Sequence, residues 1–304
     1  MRLVEIQNIT SSYNMKVRNV EALSERATLV STEENEKFVL KRKQSLKTSE
    51  SEYKLLKHLN RNNFRAQVPI ANQSDESVVT YQNNYYVLYP YISGETFSST
   101  ESINNPIVPK LLGSTIASLH DAMSSVSYAT DFPTKDLYQI VYGFALKEIE
   151  KVDDSEILLS IYQQLEREIK IISDTLPKQL IHRDAHIHNI VVEDDQFRGM
   201  IDFDLVECNV RILDLCYCAT SVLSEVFYQN HLREKWVRFV GELVAEYHQH
   251  NPLTPREKSS IWCVMLCIQS IFMAFFSKDQ ELYTMNKEMF LWIYENRSQL
   301  NTDI

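Results

Sequence analysis

The sequence predicts an α+β protein in two parts, a small strand-rich part and a larger helical part. In residues 1–94, short β-branched and aromatic runs at 38–40 and 85–91 are separated by polar turns, a pattern typical of strands. Beyond residue 94 the apolar residues recur at helical spacing. Only 5 of the 304 residues are glycine, which favours helices over turn-rich β structure. We therefore expect two domains, residues 1–94 and residues 95–304.

The composition is that of a soluble globular protein, with 44% apolar and 24% charged residues. Residues 1–94 hold 13 Lys and Arg against 10 Asp and Glu, whereas residues 95–304 hold 18 against 31. The basic first part favours a polyphosphate ligand, and the acidic second part disfavours nucleic acid, which is itself a polyanion. The acidic part either attracts a cationic substrate or is only a solvated surface, and the sequence leaves both interpretations open.

The cysteines and the apolar segments favour a protein with a reduced, buried core. All five cysteines lie between residues 208 and 267, and Cys216, Cys218, Cys263 and Cys267 fall in helix-like runs. We interpret them as core thiols rather than a zinc site. The first ten residues contain no apolar segment of the secretory type, so we expect a cytoplasmic protein. The apolar stretch 261–276 is shorter than the roughly 20 residues that a membrane span needs. We expect it to be a buried helix, with no membrane association.

The clearest chemical pattern lies between residues 180 and 204, L-I-H-R-D-A-H-I-H-N-I-V-V-E-D-D-Q-F-R-G-M-I-D-F-D. A polar loop is followed by two short apolar strands with an acidic turn between them at 193–196. We expect a hairpin of this kind to hold Asp184, Asn189 and Asp202 close together. Their carboxylate and amide oxygens are hard ligands of the type that Mg²⁺ prefers.

The spacing H-R-D-x-x-x-x-N followed by D-F is typical of the catalytic loop and metal site of kinases. In this interpretation Asp184 accepts the proton of an attacking hydroxyl group. Asn189 and Asp202 hold Mg²⁺ on the nucleotide phosphates. The alternative is an ordinary hairpin that carries acidic surface residues.

The same segment resembles the aminoglycoside phosphotransferase and choline kinase superfamily, the small-molecule branch of the protein kinase-like fold. Those enzymes typically show H-G-D-x-x-x-x-N, then I-D-F or I-D-W, then D-L, which correspond here to 182–189, 201–203 and 214–215. The tract 208–214 also resembles the homoserine kinase branch. The resemblance implies a bilobal protein kinase-like fold, with a small nucleotide-binding lobe and a larger helical lobe. It also implies transfer of the γ-phosphoryl group of ATP, or of GTP, to a hydroxyl of a small molecule, with Mg²⁺.

Two positions depart from the family pattern. Arg183 stands where glycine is usual in the small-molecule kinases, and Asp204 stands where the protein-kinase triplet has glycine. Neither change removes a catalytic group.

A strand with a lysine is predicted in the first part. The run F-V-L-K at 38–41 resembles the V-A-I-K strand of kinases, whose lysine pairs with the α- and β-phosphates. Because side chains alternate along a strand, Val39 and Lys41 share a face. We therefore predict that Lys41 contacts the phosphates and that Val39 covers the adenine. Lys43, one pleat further along, is the competing candidate.

The helix predicted at 49–59 carries the expected partner of that lysine. Glu52 shares a helix face with Leu55, Leu56 and Leu59, so it should point inward. We predict that Glu52 pairs with Lys41. The alternative is that Ser49 and Glu52 form a capping box.

The remaining nucleotide contacts are predicted from the loop at 23–28 and from the end of the strand at 85–91. The loop lies where kinases cover the phosphates, but it has none of the glycines that allow close backbone approach. The end of this strand and the residues that follow it would form the hinge that contacts adenine. There Pro90 can offer only its carbonyl, because proline has no N–H group. We predict that the Pro90 carbonyl and the Ile92 N–H contact the adenine.

The acceptor is the part of the function that the sequence leaves most open. Asp204 and Glu207 follow the metal-binding Asp202, and we predict that they face a cationic acceptor. An aminoglycoside-like compound, an amino alcohol and a homoserine-like compound all remain candidates. A protein Ser/Thr kinase is disfavoured because the short segment between Asp202 and Asp214 leaves no room for an activation segment. A nucleotide-binding pseudokinase or scaffold is the other alternative, and the sequence gives no indication of the oligomeric state.

Overall fold

The computed structural model describes residues 3–302, so the outer ends of the two predicted domains, 1–2 and 303–304, lie outside the described residues. The chain forms two compact units. The first comprises the described residues up to Gly94 together with Arg198–Asp204, and the second comprises Glu95–Phe197 and the described residues from Leu205 onward. The first unit holds a five-stranded sheet and the second is mostly helical. The predicted α+β class is therefore confirmed.

The first unit is an antiparallel sheet accompanied by two helices. Its elements are α1 (Leu3–Thr10), β1 (Val17–Ala22), β2 (Ala27–Thr32), β3 (Lys37–Lys43), α2 (Leu46–Arg61), β4 (Val79–Tyr81) and β5 (Asn84–Pro90). The strand order is β1-β2-β3-β5-β4, so β3 lies at the centre. β2 and β3 form a hairpin, and Asn35 takes the positive φ of 63° in its turn. The loop 23–26 separates β1 from β2.

The two faces of β3 have different roles. Phe38 and Leu40 pack in an apolar cluster with Ile6 and Ile9 of α1. Val39, Lys41 and Lys43 lie on the opposite face, as the alternation of a strand requires. Lys43 is buried and Lys41 is partly buried, so this face carries positive charge into the interior of the unit.

Helix α2 starts earlier than the sequence pattern indicates. Its N-cap is Ser45, whose side chain accepts a hydrogen bond from the Thr48 N–H. The alternative in which Ser49 and Glu52 form a capping box is therefore wrong. Glu52 instead lies on the buried face of the helix with Leu55, Leu56 and Leu59, as predicted.

The second unit is built mainly from helices. They are α3 (Ser99–Asn104), α4 (Ile107–Ser124), α5 (Leu146–Ile149), α6 (Glu156–Thr175), α7 (Ile212–Val226), α8 (Asn230–His250), α9 (Pro255–Phe275), α10 (Gln280–Glu295) and α11 (Arg297–Thr302). A π-helical segment, Gln139–Ala145, precedes α5. Ser98 caps α3 by accepting a hydrogen bond from the Glu101 N–H.

Helix α9 contains the most apolar stretch of the second unit. By length and composition alone it could cross a membrane, but 72% of its most apolar window is buried within the protein. Every residue from Ile261 to Ser270 is buried. This part of the stretch is a core helix, as predicted, whereas Phe275 near its end is 74% exposed. The five cysteines are free thiols, and four of them are buried.

Short strands frame the polar loop in the centre of the chain. β6 (Lys178–Ile181) precedes the loop and pairs with β9 (Glu207–Val210). β7 (Ile190–Glu193) follows the loop, and β8 (Gln196–Met200) comes next along the chain. Between them, Asp194 and Asp195 have positive φ angles of 52° and 55°, as in a tight hairpin turn. The boundary between the two units falls within β8.

Candidate active site

The polar loop between β6 and β7 has an unusual backbone at Arg183. Its φ is 72°, in the left-handed region that favours glycine. Arginine in this conformation therefore carries a strain of about 1 kcal/mol or more. The conformation persists because the Arg183 N–H is bound from outside the loop.

That binding group is Asp214, a fully buried carboxylate at the start of α7. It accepts hydrogen bonds of 2.7 Å from the backbone N–H groups of both His182 and Arg183. A ring nitrogen of His120 lies 3.1 Å from the same carboxylate, and the other contacts the Tyr247 hydroxyl at 2.8 Å. Burial alone would raise the pKa of Asp214, but the contacts with His120 and His182 lower it overall. The ionised carboxylate thus fixes the loop backbone.

Asp184 lies in this loop, and its two carboxylate oxygens have separate partners. Oδ1 accepts a hydrogen bond of 2.8 Å from the Tyr217 hydroxyl. Oδ2 accepts one of 3.0 Å from the Asn189 side chain, and a ring nitrogen of His186 lies 3.6 Å from it. Burial would raise the pKa of Asp184, but the contacts with His186 and Tyr217 outweigh it, so the pKa lies well below its ordinary value. Asp184 is therefore held as an oriented anion.

Asn189 is buried and uses its amide nitrogen toward Asp184. Nδ2 donates both to the Asp184 carboxylate and, at 2.9 Å, to the Asp184 backbone carbonyl. The amide oxygen of Asn189 therefore faces away from these two contacts. This is the oxygen that a metal ion would use, so the arrangement suits the predicted role.

Asp202 lies in the segment of the chain that belongs to the first unit. It forms an ion pair of 2.9 Å with Lys41, and its side chain is 39% exposed. Its φ is 66°, which places a non-glycine residue in the left-handed region. The predicted closeness of Asp202 to Asp184 and Asn189 stays a prediction.

The buried partner of Glu52 is Lys43. The Lys43 ammonium donates to Glu52 at 2.6 Å, and the Tyr89 hydroxyl donates to the other Glu52 oxygen at 2.7 Å. Lys43 also contacts the carboxylate of Asp204. The negative charges of Glu52 and Asp204 raise the pKa of Lys43, although burial alone would lower it. The prediction that Glu52 pairs with Lys41 is wrong.

The physical reason is the position of α2 along β3. Lys41 and Lys43 share one face, about 7 Å apart along the strand, so alternation alone does not distinguish them. The helix begins soon after the strand ends at Lys43. Its buried face meets the strand at that end, where Glu52 reaches Lys43.

The two acids predicted to face the acceptor are engaged elsewhere. Asp204 forms an ion pair with Lys43. Burial alone would raise the pKa of Asp204, but the positive charges of Lys43 and Lys41 lower it overall. Glu207 is buried, accepts a 2.8 Å hydrogen bond from Asn209, and lies 3.5 Å from the Arg183 guanidinium. Both carboxylates thus have internal partners, and their assignment to the acceptor stays a prediction.

The residues predicted to contact adenine lie at the end of the central strands. Val39 is buried and pairs with Tyr89 of β5. The Pro90 carbonyl accepts a 2.8 Å hydrogen bond from the side chain of Gln67, which leaves one lone pair for a ligand. The side chain of Ile92 lies against Gly199, where a Cβ atom would come within 2.7 Å of it. The adenine contacts themselves stay predictions.

The loop 23–26 directs its backbone amides inward. The N–H groups of Leu23 and Ser24 both donate to the Ala27 carbonyl, at 3.0 and 3.1 Å. Those of Arg26 and Ala27 donate to the Ser24 hydroxyl, at 3.2 and 3.1 Å. Four N–H groups of this turn are thus bound within it. Binding of a phosphate group would therefore depend more on side-chain cations here than in a kinase with a glycine-rich loop.

Sequence reasoning missed Tyr217, which contacts Asp184 directly. It lies three residues after Asp214 and therefore on the same side of α7. That spacing is the signal that could have located it. The ring stacks on Phe272 of α9, with centroids 5.8 Å apart and planes at 30°.

Comparison with known families agrees with this geometry. Residues 16–258 match the phosphotransferase enzyme family. The match covers well over half of the chain, so the chain belongs to this family, as the resemblance of its central segment predicted. Membership of this family makes the protein a phosphotransferase enzyme. No match was found among curated proteins.

Several solved structures share the fold at low sequence identity. An aminoglycoside phosphotransferase from Alicyclobacillus acidocaldarius subsp. acidocaldarius has a TM-score of 0.72 and 16% identity, covering 97% of this chain and 94% of its own. Amicoumacin kinase, solved with AMP-PNP, Ca²⁺ and amicoumacin, has a TM-score of 0.71 and 14% identity, with coverages of 98% and 93%. A microcompartment-associated aminopropanol kinase has a TM-score of 0.70 and 15% identity, with 99% of each chain covered. At these identities the likeness shows the shared fold.

Proposed function

We propose that this protein transfers the γ-phosphoryl group of ATP to a hydroxyl group of a small molecule, with Mg²⁺ as its metal. The observation that carries the proposal is the state of Asp184. Its loop is fixed by Asp214, and Tyr217 and Asn189 each donate to one of its oxygens. A carboxylate oxygen has two lone pairs, so each keeps one for an incoming group. Asp184 can thus accept the proton of an attacking hydroxyl.

The first unit supplies cations that suit the nucleotide phosphates. Lys43, held by Glu52, takes the role that the sequence pattern assigned to Lys41, and Lys41 supplies a second positive charge. The complexes of two of the similar structures, with AMP-PNP in amicoumacin kinase and with GDP in aminoglycoside 2'-phosphotransferase-IIIa, support a nucleotide as the donor. We propose ATP, with GTP as the alternative to be tested beside it.

The residues present fit a magnesium ion. The available amide oxygen of Asn189 and the partly exposed carboxylate of Asp202 are both hard oxygen donors. The described residues contain no group of three or more His, Cys, Asp or Glu side chains suited to a metal. Mg²⁺ commonly binds through one or two protein ligands and the phosphates themselves. When bound, the ion would neutralise charge on the phosphate oxygens.

In the proposed reaction the acceptor oxygen forms a bond to the γ-phosphorus while the bond to the β-phosphate oxygen breaks. The proton of the acceptor hydroxyl moves to Asp184. The β-phosphate leaves as part of ADP, and the positive charges of Lys43 and Lys41 offset its added negative charge. Catalysis is therefore mainly positioning and charge stabilisation, as in other phosphoryl transfers.

For the acceptor we propose a hydroxyl compound that carries an amine. The support is the net charge of −13 on residues 95–304, which would attract a cation over a Debye length of about 8 Å near physiological salt. Asp204 and Glu207 suit this role less well, because their side chains are only 22% and 9% exposed. The Glu225 side chain is 44% exposed, although its oxygens accept a 2.7 Å hydrogen bond from the Ser99 hydroxyl and lie 2.7 Å from a ring nitrogen of His188. Because of this exposure, we propose Glu225 as the contact for the amine.

An ATP-consumption screen tests the activity and the acceptor together. Wild type and Asp184→Asn are assayed with amino alcohols, aminoglycosides, choline, homoserine, macrolides and sugars, each with Mg²⁺ and with excess EDTA. We expect consumption with wild type and Mg²⁺ only. Full activity in EDTA, or equal activity of Asp184→Asn, would contradict the proposed mechanism and favour a nucleotide-binding scaffold.

The amine is tested by salt and by Glu225→Gln. With a cationic acceptor, added salt and the Glu225→Gln substitution should both raise the acceptor KM more than the ATP KM. A best acceptor that is neutral, with a salt-independent rate, would show that the acidic residues are only a solvated surface.

A further inference from the structure

We propose that Tyr217 is a positioning residue for Asp184, whose hydroxyl fixes the direction in which the carboxylate faces the acceptor. The proposal rests on the proposed function, because it assigns Tyr217 a part in the reaction through Asp184. Its basis is the 2.8 Å hydrogen bond from the Tyr217 hydroxyl to Oδ1.

Two donors are needed because the carboxylate of Asp184 can rotate about its Cβ–Cγ bond. Asn189 holds Oδ2 at 3.0 Å but, acting alone, would permit rotation around that contact. His186, at 3.6 Å from Oδ2, is beyond ordinary hydrogen-bond distance. Tyr217 therefore supplies the second fixed point, and the two contacts together define the plane of the carboxylate.

The Tyr217 ring is itself held by neighbours on two other elements. It stacks on Phe272 of α9, and it tilts at 50° against His186 of the catalytic loop, with centroids 6.1 Å apart. A phenol with only two torsions, packed in this way, places its hydroxyl with little freedom. The hydrogen bond to Asp184 is thus set by packing.

One turn of α7 holds both parts of the catalytic loop. Asp214 binds the backbone N–H groups of His182 and Arg183, and Tyr217, one turn later, binds the side chain of Asp184. The loop backbone and the reacting carboxylate are consequently positioned from the same rigid element. This arrangement limits errors in orientation, and a misplacement of about 1 Å can cost roughly 100-fold in rate.

A tyrosine suits this place because its donor is neutral. An ammonium or guanidinium would pair with the charge of Asp184 and compete with the acceptor proton. Burial and the neighbouring Asp184 charge raise the pKa of Tyr217, so the hydroxyl keeps its proton. The phenol orients the carboxylate and leaves its charge in place.

The test uses MgATP without added acceptor, so that water accepts the phosphoryl group and inorganic phosphate is released. Tyr217→Phe removes only the hydroxyl. We expect kcat to fall about 10- to 100-fold, while the KM for ATP and the thermal unfolding temperature stay near wild type. Tyr142→Phe is the matched control, because the Tyr142 hydroxyl donates a 2.6 Å hydrogen bond to the Tyr162 carbonyl in the same unit. It should leave kcat unchanged.

Two further variants separate positioning from a general structural effect. In an Asp184→Asn background, measured by single turnovers of radiolabelled ATP, Tyr217→Phe should no longer change the rate, because the group it orients is gone. Phe272→Leu keeps the hydroxyl but loosens its ring, and it should lower kcat by a smaller factor.

Three outcomes would overturn the inference. The first is an unchanged kcat in Tyr217→Phe. The second is that Tyr217→Phe lowers the rate by the same factor in the Asp184→Asn background as in wild type, and the third is that Tyr217→Phe lowers kcat only together with the unfolding temperature. If wild type releases no phosphate from MgATP and consumes none with any acceptor, the proposed function fails and this inference falls with it. A wild type that turns over while Tyr217→Phe matches it overturns only the role of Tyr217.

Discussion

Strand β3 and the loop between β6 and β7 hold their charged groups in opposite ways. On β3, Lys41 and Lys43 are matched by carboxylates, with Asp202 beside the first and with Glu52 and Asp204 beside the second. In the loop between β6 and β7, the Asp184 carboxylate is oriented by a hydroxyl and an amide, both neutral donors. One region therefore balances charge with charge, and the other orients a charge without cancelling it.

The difference follows from what each region would do. A lysine that binds phosphate must be held in place before the phosphate arrives, and a carboxylate partner does this in a buried site. A base must instead keep its electron pair available, so neutral hydrogen bonds are the better support. Substitutions at Asp184, Lys43, Asp214 and Lys41 test this contrast.

The largest effect is expected from Asp184→Asn. The amide has nearly the same shape but cannot accept the acceptor proton, so turnover should fall by about 10²- to 10⁴-fold. ATP consumption measures this, and thermal unfolding checks that the fold is kept. A variant with near wild-type turnover would show that the oriented carboxylate is not the base.

The next largest effect is expected from Lys43→Ala. The side chains of Lys43 and Glu52 are only 5% and 7% exposed, so the substitution leaves a buried carboxylate without its cation. Breaking such a pair costs about 3–5 kcal/mol, to be measured by urea unfolding. Adding Glu52→Gln to Lys43→Ala should recover part of the loss. If it recovers none, the pairing with Glu52 is not what stabilises this face.

Asp214→Asn tests how far the Asp214 charge stabilises the fold through the backbone N–H groups of His182 and Arg183. Removing the charge should cost about 1–3 kcal/mol at neutral pH. The pKa of Asp214 is lowered in the folded protein, so its contribution is present above the unfolded pKa of about 3.9 and is lost as pH falls through the folded pKa. The difference in unfolding temperature between wild type and variant should therefore shrink below about pH 4. A constant difference down to pH 3 would contradict this.

The smallest stability effect is expected from Lys41→Ala. Its partner Asp202 is 39% exposed, and pairs of this kind contribute about 0–1 kcal/mol. Urea unfolding should therefore distinguish it clearly from Lys43→Ala, and its effect on the KM for ATP should also be smaller. The opposite ranking would return the phosphate role to Lys41, as the sequence pattern predicted.

Much of the candidate site could be predicted because its spacing is local. His182 to Asn189 lie in one loop between two short strands, and hydrogen bonds within the loop connect Asp184 with Asn189. The inward face of α2 also follows from helical periodicity, which places Glu52 with its apolar neighbours. Contacts within one loop or one helix of this kind follow directly from the spacing of the residues in the sequence.

Contacts between side chains that are distant in the sequence are determined by the tertiary structure alone. Lys43 and Asp204 are 161 residues apart, and Tyr217 meets Asp184 across 33. Strand alternation placed Lys41 and Lys43 on one face, but only the packing of α2 against β3 determined which lysine Glu52 reaches. In the first unit Lys43 also meets Asp204. In the second unit Glu207 meets Arg183, and α7 brings Tyr217 to the Asp184 carboxylate. Periodicity specifies which way a side chain points, whereas the docking of whole elements specifies what it meets.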